Sequence, residues 1–261
     1  MGIAELWWES DLAVLDVETT GLDSKVERVI EVAVIHMRAG AVLESWGTLI
    51  NPEDRPVPVE VQKLTGITPE QLVDQPTFKA IAAELRARLE GKVFVAYNLS
   101  FDKGFITHEL SRAGLALPIG PELDPLVFAR ELLKDLPSKR LGNVAAHLGI
   151  TLTEAHRATD DATVAGHVLS ALRAQLPPRL EDLMRLGALW SEQQEAAFAA
   201  RRRRRGEGSA PEETPMAPKA PAAARGGRIT LGPAYIYGDE PDPLRYFYRG
   251  LPDVGGGARK G

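Results

Sequence analysis

Apolar residues are concentrated in three runs near the start of the chain, at 12–17, 29–38 and 42–50, each of a length that suits a buried strand. Arg38-Ala39-Gly40-Ala41 separates the second from the third and reads as a tight connection, so the three predict an antiparallel meander. The period then lengthens. Ile81, Leu85 and Leu89 recur at helical spacing within 78–89, and Val93-Phe94-Val95-Ala96 forms a short apolar strand. Ser100 is placed to cap a helix carrying Phe101, Phe105, Ile106 and Leu110, and further helices are predicted at 125–133, 141–148 and 159–172. Between the meander and the first helix lies a Pro-rich passage (Pro52, Pro56, Pro58), followed by a turn at Gly66-Ile67-Thr68-Pro69. Strands first and strand–helix alternation afterwards predict a mixed α/β sheet flanked by helices.

The pattern changes at Pro177-Pro178. One more helix is predicted over 180–200, running into five consecutive arginines at 201–205. Residues 206–227 hold 14 Gly, Pro or Ala among 22, too few large apolar groups to pack, and read as a flexible linker. Residues 228–261 contain four of the five tyrosines, with Arg245-Tyr246-Phe247-Tyr248-Arg249 at their centre. The predicted organisation is a domain over 1–176, a helical extension over 177–205, the linker, and an aromatic and basic C-terminal segment over 228–261. There is no internal repeat.

Composition narrows the function classes. With 44% hydrophobic and 26% charged residues the chain has a globular balance, and no run of about 18 apolar residues predicts a membrane span. The absence of cysteine excludes disulfides, thiolate zinc sites and cysteine nucleophiles, and with no secretory signal apparent it fits a cytoplasmic protein. The net charge of −5 conceals an asymmetry, since residues 1–200 carry −10 and residues 201–261 carry +5. An acidic body does not attract a polyanion by net charge, so work on nucleic acid would need bound cations or the basic tail.

The acids with most to explain are Asp16 and Glu18, in Asp16-Val17-Glu18-Thr19-Thr20-Gly21. Two residues apart on a strand, they point to the same face, and two adjacent carboxylates repel unless a cation lies between them. The alternative is a pair of solvated acids at a strand end. Asp102 falls in the first turn of a helix that follows a buried strand, where an acid also serves the helix dipole. Asp161 shares a helical stripe with Ala165, Val168 and Leu172, and a carboxylate on a core-facing stripe is costly unless paired or metal-bound. Asp160 lies on another face and is the weaker candidate. His156, in the loop before that helix, has a side chain suited to accepting a proton near neutral pH, although a lone loop histidine is more often an ordinary hydrogen-bonding residue. Four carboxylates suffice for two hard divalent cations, Mg²⁺ or Mn²⁺, which can clamp the attacking and leaving oxygens of a phosphodiester.

Three motifs in order, Asp16-x-Glu18-Thr19-Thr20-Gly21, Asn98-x-x-Phe101-Asp102-x-x-Phe105 and His156-x-Ala158-x-x-Asp161-Ala162, resemble those of the DEDD superfamily of exonucleases in its histidine-containing branch. The likeness is greatest to the proofreading (epsilon) subunits of bacterial DNA polymerase III, and it covers roughly residues 12–172. It implies a ribonuclease-H-like fold, two metals bound through Asp16, Glu18, Asp102 and Asp161, and His156 as general base. It also implies contacts to the 3′-terminal nucleotide from Thr19, Gly21, Leu22 and Asn98, with Glu60 and Thr65 as further contacts. Tyr97 departs from the family, where many members have histidine before the asparagine. The implied activity is 3′–5′ exonucleolytic cleavage of single-stranded ends, of DNA in a proofreading or repair setting. The rivals are an RNA-trimming enzyme resembling ribonuclease T or oligoribonuclease, and a nuclease-like binding module that recruits partners through its tail.

Other chemistries find no footing. There is no Gly-x-x-x-x-Gly-Lys-[Ser/Thr] phosphate loop and no Gly-x-Ser-x-Gly elbow, and His108-Glu109 lacks the second histidine of a zinc-protease helix. The arginine run reads either as a solvated helix end or as a non-specific phosphate contact. The Arg245–Arg249 pentapeptide suits a protein partner, such as a DNA polymerase, or stacking on bases. Gln193-Gln194-Glu195-Ala196-Ala197-Phe198 faintly resembles a sliding-clamp-binding peptide, with Ala196 where a larger apolar residue is usual, and reads more simply as amphipathic helix.

Overall fold

The computed structural model describes residues 5–151 and 156–207; the linker from 208 onward and the aromatic C-terminal segment lie outside them. Chain order is β1 (Leu12–Thr19), β2 (Val29–Arg38), β3 (Ala41–Leu49), α1 (Val59–Thr65), α2 (Pro69–Leu72), α3 (Phe78–Leu89), β4 (Val93–Val95), α4 (Leu99–Arg112), β5 (Glu122–Leu123), α5 (Pro125–Leu132), α6 (Leu141–His147), α7 (Ala158–Ala171) and α8 (Leu180–Glu207). The strands form one sheet in the order β3-β2-β1-β4-β5. β1, β2 and β3 pair antiparallel, whereas β1–β4 and β4–β5 are parallel. The meander turns at Ala39 and Gly40, both at positive φ, as a two-residue turn matched to strand twist demands.

β1 is central and buried on both faces. Leu12 and Val14 join one core with α5, α6, α7 and the start of α8, while Ala13, Leu15 and Val17 join a second core with α3 and α4. By the same alternation Asp16 and Glu18 follow Leu12 and Val14 toward the α7 side. Helix α7 lies close on the sheet because Gly166 permits it: a Cβ there would come within 2.2 Å of the Met37 sulfur. A third, small cluster joins Ile30 to Val57, Val61, Ile67 and Leu72, and holds α1 and α2 against the sheet.

Several elements differ from expectation. β1 runs two residues past the apolar run 12–17, through Thr19, with a register irregularity between Glu18 and Thr19. Two short helices follow the Pro-rich passage, on either side of the turn at Gly66–Thr68, and a two-residue strand, β5, extends the sheet. Helix α4 begins with Asn98, not Ser100, at its N-cap. The carboxylate of Asp124 accepts from the backbone N–H of Asn98 (2.9 Å) and Leu99 (3.0 Å) and so does the work expected of a serine cap. Among the described residues no helix is long and apolar enough to cross a membrane.

Candidate active site

β4 is only three residues long and meets β1 only over Leu12–Val14, so the distal end of β1 has no strand partner on that side. The N–H of Val17 is met instead by Oδ1 of Asp102, at 3.1 Å, reaching from the first turn of α4. This bond ties the second acidic motif to the first. The connection from β4 into α4 makes a sharp bend at Asn98, whose φ of 75° is in the left-handed region that asparagine tolerates better than most residues.

The third motif arrives from the opposite face. His156 has a φ of 67° and donates its backbone N–H to Oδ2 of Asp161, at 3.1 Å, which fixes the loop to the helix it precedes. A residue that the sequence did not single out holds this junction in place. Glu31, only 4% exposed, stands opposite Glu18 in the β1–β2 register. It accepts from the Arg157 guanidinium at 2.9 Å and from the Ala158 N–H at 3.2 Å. The lone acid within the apolar run 29–38 was the available signal, because a buried glutamate in a strand needs a partner.

Asp16, Glu18, Thr19, Leu22, Asn98, Asp102, His156 and Asp161 line one pocket of about 120 Å³, together with Leu64, Tyr97, Phe101 and Leu141. Gly21, Glu60 and Thr65 are not among its lining residues. Gly21 lies against the Glu27 side chain, Glu60 is exposed on α1, and the Thr65 hydroxyl donates to the Val61 carbonyl within α1. Tyr97 forms part of the wall and donates its hydroxyl to the Lys139 carbonyl at 2.6 Å, anchoring the approach to α6.

Charge is unevenly satisfied in this pocket. Burial pushes the Asp16 carboxyl well above its usual range, and Asp102, Asp161, Glu18 and Glu31 add to the shift. Asp102 is also held well above its usual range, first by burial, against the opposing pull of its backbone hydrogen bonds, with Asp124 and Asp161 raising it further. Glu18, His156 and Asp161 each offer a ligand atom, and those atoms lie within 4.8 Å of one another. The four pocket carboxylates, Asp16, Glu18, Asp102 and Asp161, under mutual repulsion fit hard divalent cations, whose charge would reverse the penalty.

The family model for RNase_T-type exonucleases matches residues 13–169. The chain is 35% identical over 162 residues to a PolC-type DNA polymerase III of Clostridium perfringens, a match covering 62% of this chain and 11% of that protein. It is 35% identical over 179 residues to the 3′-5′ exonuclease DinG of Bacillus subtilis, covering 66% of this chain and 19% of that one. This chain therefore spans less than a fifth of either relative. Among solved structures, E. coli exonuclease I in a zinc-bound complex with single-stranded DNA aligns with a TM-score of 0.60 at 22% identity, over 67% of this chain and 42% of that one. Exonuclease X in complex with 5′-overhanging duplex DNA aligns with a TM-score of 0.54 at 19% identity, over 67% of this chain and 99% of that one. The ribonuclease-H-like exonuclease fold implied by the three motifs is the fold observed.

Proposed function

This chain belongs to the RNase_T exonuclease family, and on that premise we propose that it is a metal-dependent 3′–5′ exonuclease that removes nucleotides from single-stranded DNA ends. The observation that carries the proposal is the meeting of four carboxylates and one histidine in a single pocket, with Asp16 and Asp102 held toward protonation. Asp16, Glu18, Asp102 and Asp161 would hold two divalent cations, Mg²⁺ or Mn²⁺. Such ions supply Lewis acidity and neutralise the charge that develops on the phosphate oxygens.

The side chains do the rest. His156 accepts the proton of the attacking water, whose oxygen bonds to phosphorus as the bond to the 3′ oxygen of the preceding nucleotide breaks. Thr19, Leu22 and Asn98, on the pocket wall, orient the terminal nucleotide; the roles of Gly21, Glu60 and Thr65 rest on the family resemblance alone. Similarity to PolC-type polymerases and to DinG supports DNA over RNA as substrate and supports a replication or repair setting. The division into a catalytic domain over 1–176, a helical extension, a linker and a partner-binding tail belongs to the same reading. A polymerase partner is assigned to that tail. The clamp-peptide reading of residues 193–198 is not retained, because these residues lie in α8 with Gln194 buried against α5.

Degradation of end-labelled DNA and RNA oligonucleotides with Mg²⁺, Mn²⁺ or chelator tests the proposal. Metal-dependent shortening from the 3′ end, faster on DNA, is expected. Full activity in excess chelator, or shortening from the 5′ end, would overturn it.

A further inference from the structure

A second cavity, about 1040 Å³, opens beside the acid pocket. The two share Asn98, and the larger continues over Leu99 and Ser100 at the start of α4. One wall is built from β5 and α5, the other from α8 between Met184 and Arg202. Helix α8 lies beyond residues 13–169, so this wall is an addition to the exonuclease domain.

The added helix is firmly seated. Gln194 is 8% exposed and donates to the Val127 carbonyl and to Glu131, both at 3.0 Å, while Arg130 donates to it at 3.3 Å. Phe128 meets Trp190 edge-on at 6.2 Å between centroids. Farther along α8, the Arg130 guanidinium lies over the Phe198 ring at 5.1 Å, Arg202 also lines the cavity, and its sequence neighbours Arg201, Arg203 and Arg204 are exposed.

The lining acids are not equivalent. Glu122 is paired with Lys103 at 2.7 Å, and Asp124 accepts three backbone N–H groups, from Asn98, Leu99 and Leu126. Glu192 and Glu195 are exposed on α8, on the N-terminal side of Phe198 and the arginines. The stretch of the cleft lined by Arg130, Phe198 and Arg202 thus carries cations and an aromatic face, the combination that holds single-stranded nucleic acid through phosphates and stacked bases.

We propose that this cleft carries the strand upstream of the 3′-terminal nucleotide, with phosphates drawn to Arg130, Arg202 and the adjoining arginines and a base against Phe198. The proposal rests on the exonuclease reading, since it needs a strand leaving the acid pocket past Asn98. From Met184 to Arg202 the α8 wall is about 27 Å long, a length for single-strand sites of roughly 4 nucleotides or more. The arginine run then sets preference for substrate length, and Glu192 and Glu195 temper it.

The test is a series of oligothymidylates from the dinucleotide to a dodecamer, with the full chain and its variants Arg202→Glu, Phe198→Ala and the pair Glu192→Gln with Glu195→Gln. Arg202→Glu and Phe198→Ala are expected to raise KM for the dodecamer roughly tenfold or more while leaving the dinucleotide within about twofold. Arg202→Glu should also flatten the dependence of log KM on log salt by about 0.7 for each phosphate that the cleft ceases to neutralise. The glutamine pair should lower KM for the dodecamer. Equal effects at every length, or none on the dodecamer, would overturn the proposal; the latter is the outcome for a cleft that takes a protein segment. If no oligonucleotide is cleaved, the exonuclease reading fails, and anisotropy of a labelled dodecamer still decides whether Arg202→Glu weakens binding to the cleft.

Discussion

Helix α4 carries a buried acid near each end, and the protein treats the two in opposite ways. Glu109, 1% exposed, meets the Arg28 guanidinium at 2.7 Å, Arg112 at 3.3 Å and the Val29 N–H at 3.3 Å. Asp102, 3% exposed, receives the Val17 N–H and faces other carboxylates. The fold is therefore able to neutralise a carboxylate in this helix, and does so two turns from the pocket. Among the described residues no lysine or arginine forms an ion pair with Asp16 or Asp102. Similar burial of Glu109 and Asp102, with and without a built-in cation, separates an acid that serves stability from one that fits the proposed metal site.

The contrast breaks most sharply at the acids of the pocket. Asp16→Ala or Asp161→Ala is expected to abolish turnover in an end-labelled assay, while the melting temperature of the metal-free protein holds or rises as repulsion is relieved. Retained activity would place the reaction elsewhere. His156→Ala should lower kcat by roughly 10²–10⁴-fold. Its metal affinity, followed by calorimetry, should change far less; a collapse of that affinity would make His156 a ligand instead of a base.

Glu109→Ala supplies the opposite arm. It leaves Arg28 without its buried partner and should cost about 3–5 kcal/mol in denaturant unfolding, with turnover per folded molecule within a few-fold of the parent. A loss of turnover in fully folded protein would merge the two ends of α4 into one functional unit.

The gentlest probe is pH. Asp16 and Asp102 keep their protons to higher pH in the folded state than in the unfolded chain, whose carboxylates titrate near 3.9. Between that value and the raised ones the folded state binds more protons, so metal-free stability falls as pH climbs through this window. Added Mg²⁺ or Mn²⁺ should then raise the melting temperature more at pH 8 than at pH 5. An equal rise at both would mean that these two carboxyls do not receive the ion.

Much of this was legible in the chain itself. The strand at 29–38 and the helix at 78–89 match β2 and α3 to the residue, because each carries a full set of periodic apolar positions. The acids were legible because strand alternation and the helical stripe of Asp161 put charge where the apolar pattern wanted none. Helices α1 and α2 were not, since seven and four residues carry too few periods, and it is contact with Ile30 and its neighbours that holds them. Asp124 and Glu31 escaped for a related reason. Each acts on backbone N–H groups far away in sequence, 26 residues for Asp124 and Asn98 and 127 for Glu31 and Ala158. Spacing along the chain holds no trace of such a bond. The α8 cleft was equally hidden, as it needs a helix beyond the exonuclease domain to fold back over α5.

One backbone detail bears on how such a chain can change over generations. Asn98 and His156 are two of the four non-glycine residues at positive φ among those described. A left-handed backbone costs an ordinary side chain about 1–3 kcal/mol, a burden that glycine does not carry. Heat survival alone, imposed on a library of variants, would thus reward His156→Gly and discard the proposed proton acceptor in the same step. Under the proposed mechanism, endurance and turnover pull in opposite directions at that one peptide, and a lineage that keeps histidine there accepts a softer fold as the condition of that chemistry.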